Sequence, residues 1–125
     1  MNSRIHLLIL TVCLVVQQAA QAAGDPQLGK ILYQARCASC HSAQFNGVGP
    51  AHAGVFGRKA ASVDGYVYST ALTKAGFVWN EKLLDAWLRN PEKLVPGQKM
   101  GVSVPTAQER ADLIAYLKTM TSTSH

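Results

Sequence analysis

The first apolar stretch of the chain lies at its N-terminus. A predominantly apolar run of twelve residues, Ile5 to Val16, follows Arg4, and Ala20-Gln21-Ala22 comes shortly after it. Twelve residues are too few to cross a bilayer as a helix, and small residues at this spacing are typical of a signal-peptide cleavage site. The pattern predicts a signal peptide over residues 1–22, removed near Ala22/Ala23. The alternative is an uncleaved membrane anchor that recruits the weaker Ala/Gln stretch.

The next apolar positions recur at helical spacing. Asp25 followed by Pro26 is typical of a helix N-cap and first turn, and predicts a helix that runs to about Arg36. Its apolar residues are expected on one face: Leu28, Ile31, Leu32 and Ala35. The segment from Ser42 to Gly76 is rich in glycine and has no sustained alternation, so it predicts a loop. A loop of that length fits a compact domain if it wraps a rigid apolar group.

Two further helices are predicted in the second half. Asn80 is placed to cap a helix from about Glu81 to Asn90, which Pro91 would end. A short turn over residues 92–95 follows. The sequence Thr106-Ala107-Gln108-Glu109 matches a capping box and opens the last helix. The buried faces are expected to consist of Leu83, Leu84, Trp87 and Leu88 in one helix and Leu113, Ile114, Tyr116 and Leu117 in the other.

These elements predict an all-α fold with three main helices and long loops. At 125 residues the chain suits one domain, which we place at residues 23–120, followed by a flexible tail at residues 121–125. Loss of residues 1–22 leaves 11 Lys and Arg against 7 Asp and Glu, a net charge of +4. Mild basicity suits an acidic protein partner, and it is too dilute to indicate nucleic-acid binding.

Residues 37–41 read Cys-Ala-Ser-Cys-His. This pattern is the attachment site for c-type haem, because positions i and i+3 of a helical turn share a face. Cys37 and Cys40 can then bond the two vinyl groups of one porphyrin, with His41 beneath the iron. The alternatives are a disulfide, a thioredoxin-like redox pair and half of a zinc site. The redox pair needs a βαβ context, and the zinc site needs two more ligands.

A haem iron that only transfers electrons needs a sixth protein ligand, and thioether sulfur favours the ferrous state. Met100 lies in the polar, glycine-flanked segment 96–101, so it is not expected to serve as a core-packing residue. It is the candidate for the sixth ligand. Met1 leaves with the signal peptide, and Met120 lies on the apolar side of the last helix. His52 is a second imidazole, but its loop setting predicts a solvated surface side chain.

Ordered motifs extend over the whole mature chain. They are Gly29 and Tyr33, Gly49-Pro50, Gly57-Arg58-Lys59, residues 65–68, Trp79, residues 88–91, residues 96–100 and residues 109–118. With the Cys37–His41 motif, these residues resemble the class I cytochrome c family from about Asp25 to Met120. The resemblance implies one covalent haem enclosed by three main helices and long loops.

The resemblance also implies roles. The Pro50 carbonyl would accept the His41 ring N–H, and Arg58, Tyr68 and Trp79 would hold a haem propionate. Family members often carry Tyr, Asn and Thr where Trp87, Leu72 and Gln98 stand here, which predicts a drier Met100 side and a Trp87 N–H donated to Met100 or a propionate. The expected site residues are Cys37, Cys40, His41, Pro50, Arg58, Tyr68, Trp79, Trp87 and Met100, with His41 and Met100 as the iron ligands.

The implied function is that of a soluble, monomeric, periplasmic electron carrier and not an enzyme. It would pass single electrons from a quinol-oxidising cytochrome complex to an oxidase or a photosynthetic reaction centre. Its partners would be acidic redox proteins or membrane redox complexes, with no nucleic acid and no small-molecule substrate. The alternatives are a dedicated electron acceptor or subunit of one periplasmic dehydrogenase and, less favoured, a haem sensor or peroxidase.

Overall fold

The computed structural model describes residues 22–122. Within that range the helices are α1 (Pro26–Arg36), α2 (Thr70–Ala75), α3 (Glu81–Arg89), α4 (Pro91–Leu94) and α5 (Ala107–Thr119), and the β pairing is one isolated antiparallel bridge between Lys59 and Val78. The all-α prediction is confirmed, with three longer helices and two short ones. The predicted signal peptide up to residue 21 and residues 123–125 of the predicted tail lie outside the described residues. None of the described helices is both long and apolar enough to cross a membrane.

Helices α1 and α5 cross at Gly29. A Cβ at this position would overlap the Asp112 carbonyl and press on the Cβ of Tyr116, so only glycine permits this approach. The side chain of Asp25 caps α1 by accepting from two backbone N–H groups, as predicted. The Asp25 N–H also donates to the Asp112 carboxylate at 2.8 Å, which ties the start of α1 to α5.

The apolar face expected on α1 is mostly exposed, with only Leu32 packed against the core. Leu28 and Ile31 are 51% and 63% exposed, whereas Gly29 and Tyr33 are the buried residues of this helix. The reason is geometric, because the side of α1 that meets α5 is the side where the backbone can approach most closely. That side is centred on a glycine, which contributes no apolar signal to a hydrophobic pattern.

Helices α3 and α5 carry the core that was predicted for them. Leu84, Trp87 and Leu88 of α3 are buried, as are Leu113, Ile114 and Leu117 of α5. Asn80 caps α3 through a side-chain bond from the Leu83 N–H at 2.9 Å. Behind the core, the buried Arg110 donates to Asp85 at 2.7 Å and to the Val104 carbonyl at 2.9 Å, which fixes α5 against α3.

The capping box predicted at the start of α5 is wrong, although the helix begins where expected. Thr106 is the N-cap residue but makes no side-chain cap bond. Glu109 instead forms a two-bond ion pair with Arg36 at 2.9 and 3.2 Å. A bidentate guanidinium from α1 is a stronger partner for the carboxylate than one backbone N–H, so the contact between helices prevails.

Helix α2 lies inside the segment that was predicted to be loop. Ser69 caps it by accepting from the Leu72 N–H, and Gly76 ends it with a left-handed φ of 70°. Six residues are too few to display helical periodicity, so the sequence signal is confined to these two ends. The turn predicted over residues 92–95 is α4, which Asn90 caps through the Lys93 N–H.

Candidate cofactor site

The Cys37–His41 motif continues the last turn of α1. The N–H groups of Cys40 and His41 both donate to the Cys37 carbonyl, at 3.0 and 2.9 Å. Cys37 and Cys40 are free, partly buried cysteines, with no disulfide between them. Burial raises the pKa of the Cys37 thiol, and the neighbouring Arg36 opposes that change. The motif therefore presents two separate thiols and an imidazole from one helical turn, as its spacing predicts.

The His41 ring is held from two directions. Its Nδ1 lies 2.8 Å from the Pro50 carbonyl oxygen, the contact that the resemblance implies. A Cβ at Gly49 would overlap the imidazole, so the backbone there comes as close to the ring as glycine allows. Burial lowers the pKa of His41, which favours the neutral ring. Because Nδ1 donates to Pro50, Nε2 is the nitrogen left to bind a metal.

His52 is not a solvated surface side chain, so that prediction is wrong. Its ring stacks on His41, with the ring centroids 3.9 Å apart and the planes 17° from parallel. Its Nδ1 lies 2.9 Å from the hydroxyl of Tyr33, which is buried in α1. Burial, assisted by His41 and Arg58, lowers the pKa of His52 to about 3, and burial raises that of Tyr33. Both groups are neutral at pH 7, so the phenol donates to the imidazole nitrogen.

The β bridge places Arg58 beside Trp79. The Trp79 backbone N–H donates to the Arg58 carbonyl at 2.9 Å, and the Gly57 backbone N–H donates to the Trp79 carbonyl at 2.8 Å. The Arg58 guanidinium donates to the carbonyls of Ala53 and Ala51 at 2.7 and 3.0 Å. Its Nε is buried and has no hydrogen-bond partner among the described residues. A buried unpaired N–H on a cation is costly, so this atom calls for an anionic acceptor.

Tyr68 and Trp87 complete the polar and aromatic walls. The Tyr68 hydroxyl accepts from the Val63 N–H at 3.1 Å, which leaves its own proton available to a ligand. Trp79 and Trp87 meet edge to face with their ring centroids 5.4 Å apart. Leu72, which stands where an asparagine is common in the family, is buried in the core beside them.

Met100 is fixed by its own loop. Gln98 Oε1 accepts from the Met100 backbone N–H, and Gln98 Nε2 donates to Glu92 at 3.3 Å. Glu92 also accepts from the Gly97 N–H at 2.9 Å. Lys99 reaches across to the Val67 carbonyl at 3.1 Å. The side chains flanking Met100 thus hold the loop to α4 and to the long loop.

These residues enclose a cavity of about 430 Å³. All nine site residues expected from the sequence line it, and so do Tyr33 and His52. Most of its wall is apolar, and its lining includes Arg58, whose buried Nε has no hydrogen-bond partner within the described part of the chain. Such a wall fits a large apolar ring that carries acidic groups at one edge, which is the chemistry of haem.

Comparison with known proteins decides between haem and the other uses of a Cys-x-x-Cys pair. The Cytochrome c family matches residues 26–121. This chain belongs to the cytochrome c family. It is 45% identical over 100 residues to cytochrome c2 of Rhodopila globiformis, covering 78% of this chain and 94% of that protein. It is 44% identical over 100 residues to cytochrome c of Euglena viridis, covering 78% and 98%.

A solved structure agrees with this assignment. Cytochrome cH from Methylobacterium extorquens superposes with a TM-score of 0.74 at 43% identity, covering 77% of this chain and 99% of that one. As a class I member of the family, this cytochrome c carries one haem c bound covalently through Cys37 and Cys40, and it is an electron carrier.

Sequence reasoning did not assign a role in the site to Tyr33 and His52. Tyr33 was recognised only as part of the family pattern, and His52 was placed at the surface. The one available signal was that His52 follows Pro50 by two residues. The segment whose Pro50 carbonyl contacts the His41 ring also brings His52 to that ring.

Proposed function

We propose that this cytochrome c carries single electrons in the periplasm, from a quinol-oxidising cytochrome complex to an oxidase or a photosynthetic reaction centre. The observation that carries the proposal is that His41 and Met100, 59 residues apart in sequence, line the same cavity as both cysteines. An imidazole and a thioether facing one cavity are the ligand pair of high-potential cytochromes.

In this proposal His41 and Met100 are the axial ligands. The Pro50 carbonyl holds the His41 ring by its N–H, so Nε2 is directed and made more basic. Haem c, when bound, supplies a one-electron iron couple. With His41 and Met100 both holding the iron, the chain would leave no ligand position open to a substrate, and the chemistry it would support is electron exchange.

Arg58, Tyr68 and Trp79 are proposed to hold a propionate. The Arg58 Nε lacks a partner, and the Tyr68 hydroxyl already accepts a bond and so has a proton to donate. The Trp79 indole adds a third donor in the same wall. A buried carboxylate needs such charge-assisted bonds, because an unpaired one is far too costly to bury.

The periplasmic location rests on the N-terminal pattern. Ala22 and Ala23 are exposed, whereas Gly24 packs so closely on Ala111 that a Cβ there would overlap the Ala111 carbonyl. Close packing on α5 is therefore in place at Gly24, the second residue of the proposed mature chain. N-terminal sequencing of the protein from the periplasmic fraction tests this, and a chain that retains Met1 contradicts it.

The ligand pair is tested by comparing the two methionines of the mature chain. We expect Met100→Ala to lose the near-infrared sulfur-to-iron band of the ferric protein and to bind carbon monoxide rapidly when reduced. Met120→Ala is the matched control, because Met120 packs against the core but does not line the cavity. Visible and near-infrared spectra of both variants, with a redox titration, provide the measurement.

Three results would contradict the proposal. A wild-type protein that lacks the sulfur-to-iron band would remove Met100 as a ligand. Rapid carbon monoxide binding by the reduced wild type would favour a sensor or peroxidase. Tight co-purification with a single periplasmic dehydrogenase would replace the diffusing carrier by a dedicated acceptor.

A further inference from the structure

Two polar side chains pack behind His41 in a region that aliphatic residues could fill. Tyr33 is 5% exposed, and its hydroxyl lies 2.9 Å from Nδ1 of His52. Burying a hydroxyl and an imidazole costs free energy unless they are hydrogen-bonded; here each satisfies the other, and the bond leaves the pair able to make a further contact. The His52 ring supplies one, because its face lies against the ring of His41.

Two of the contacts on His41, those from Pro50 and His52, restrict different motions. The bond from Nδ1 to the Pro50 carbonyl fixes the direction of one ring atom but allows the ring plane to tilt about that bond. A nearly parallel ring with its centroid at 3.9 Å opposes the tilt, because turning His41 out of its plane would bring one of its edges into the His52 ring. The stacked ring restricts His41 only if it is itself held in place.

Tyr33 holds the stacked ring. Its hydroxyl bond fixes Nδ1 of His52, and its ring meets that imidazole edge to face with the ring centroids 5.6 Å apart. The His52 backbone N–H also donates to the Ser42 carbonyl at 2.9 Å. Tyr33 belongs to α1 and meets Tyr116 of α5 edge to face, with the ring centroids 5.4 Å apart. A continuous series of contacts thus runs from the crossing of α1 and α5 to the imidazole of His41.

We infer that Tyr33 and His52 form a positioning pair that sets the plane of the His41 imidazole over the iron. This inference rests on the proposed function, in which His41 is the axial ligand. The orientation of that plane determines how unpaired electron density is distributed over the haem in the ferric state. The pair therefore controls the electronic symmetry of the site without touching the iron.

The test is a double-mutant cycle read by proton NMR of the ferric protein. Tyr33→Phe removes the hydroxyl, and His52→Phe keeps a ring against His41 but removes the acceptor nitrogen. We expect each variant to change the spread of the four haem methyl shifts in the same direction. The double variant should shift no further than the larger single change, because both remove one bond. Tyr116→Phe is the matched control, since it removes a hydroxyl from the same aromatic group and should leave the shifts unchanged.

The outcomes separate this inference from the proposed function. Unchanged methyl shifts in Tyr33→Phe and His52→Phe, with additive losses of stability, would show a packing role only and overturn the inference. A wild type without the sulfur-to-iron band would overturn the ligand assignment instead. If His52→Phe does not mature, Tyr33→Phe alone decides, because it deletes one oxygen atom and leaves the packing intact.

Discussion

Arg58 combines a structural and an electrostatic role in one side chain. It donates to two loop carbonyls and keeps a buried Nε without a partner among the described residues. We expect Arg58→Leu to lower the free energy of unfolding by about 2 kcal/mol, because hydrogen bonds from a charged donor are lost. Arg58→Leu should also lower the reduction potential, because a positive charge that disfavours ferric iron is removed.

Lys59→Leu is the control, because it makes the same charge change at an exposed position. It should change the free energy of unfolding and the reduction potential little. Denaturant unfolding and potentiometric titration measure them, and equal effects of the two variants would contradict the assignment.

Sequence reasoning at the residue scale succeeded where covalent spacing decides position. Cys37, Cys40 and His41 share one helical turn, whereas the bond from His41 to Pro50 was implied by the family resemblance. It failed for His52, whose neighbours are small residues without periodicity. The environment of His52 is created by a helix and a loop that meet only in the fold, so local sequence could not indicate its burial.

The crossing of α1 and α5 depends on the absence of a side chain at Gly29. Alanine has the higher helix propensity by about 1 kcal/mol, so an isolated helix would gain stability from Gly29→Ala. Here the added Cβ would overlap the Asp112 carbonyl, and forcing the helices apart costs about 3 kcal/mol. We therefore expect a net loss of about 2 kcal/mol in denaturant unfolding. Lys30→Ala, at the next, exposed position of α1, should be nearly neutral, and a stabilised Gly29→Ala would refute the contact.

Helices were predictable where apolar periodicity and end signals agree. Helix α3 has both, and its extent and most of its buried face follow the sequence. In α5 the predicted Leu113, Ile114 and Leu117 are buried, but Arg110 and Asp112 are buried with them. Helix α2 has only its end signals, Ser69 and Gly76, so it was taken for loop. The start of α5 was found, but Glu109 bonds to Arg36 on another helix, a choice that depends on tertiary distance.

At the scale of the whole molecule, the rate of electron exchange with an anionic reagent should depend most on the basic residues next to the cavity. Lys99 lines the cavity, whereas Lys74 on α2 does not. We expect Lys99→Glu to slow oxidation of the reduced protein by hexacyanoferrate(III), a trianion, several-fold at low salt. Lys74→Glu, with the same change in net charge, should slow it less. The difference should shrink as salt is added, since screening weakens both fields. Stopped-flow rates at several salt concentrations measure this, and equal slowing by both variants would place the exchange site elsewhere.

The long glycine-rich segment also predicted a property of the whole molecule, namely that it encloses an apolar group. A loop from Ser42 to Gly76 is too long for an ordinary compact domain, and that excess pointed to an enclosed apolar group. The cavity that it helps to line has the expected character. Its detailed walls were beyond prediction, since Arg58 and Trp79 are brought together by a single β bridge within a mostly irregular segment.

The partnership of the first and last helices also sets an order of assembly. Helix α1 is synthesised early, but Asp112 and Tyr116, on which Gly29 packs, come about eighty residues later in α5. Until then Gly29 has nothing to pack against, and the adjoining cysteines remain on an unclosed segment. In the exported chain we therefore expect the cofactor to be attached while both thiols are accessible, before α1 and α5 meet. Truncation before Leu113 should therefore yield chains that are modified at both cysteines and are then degraded.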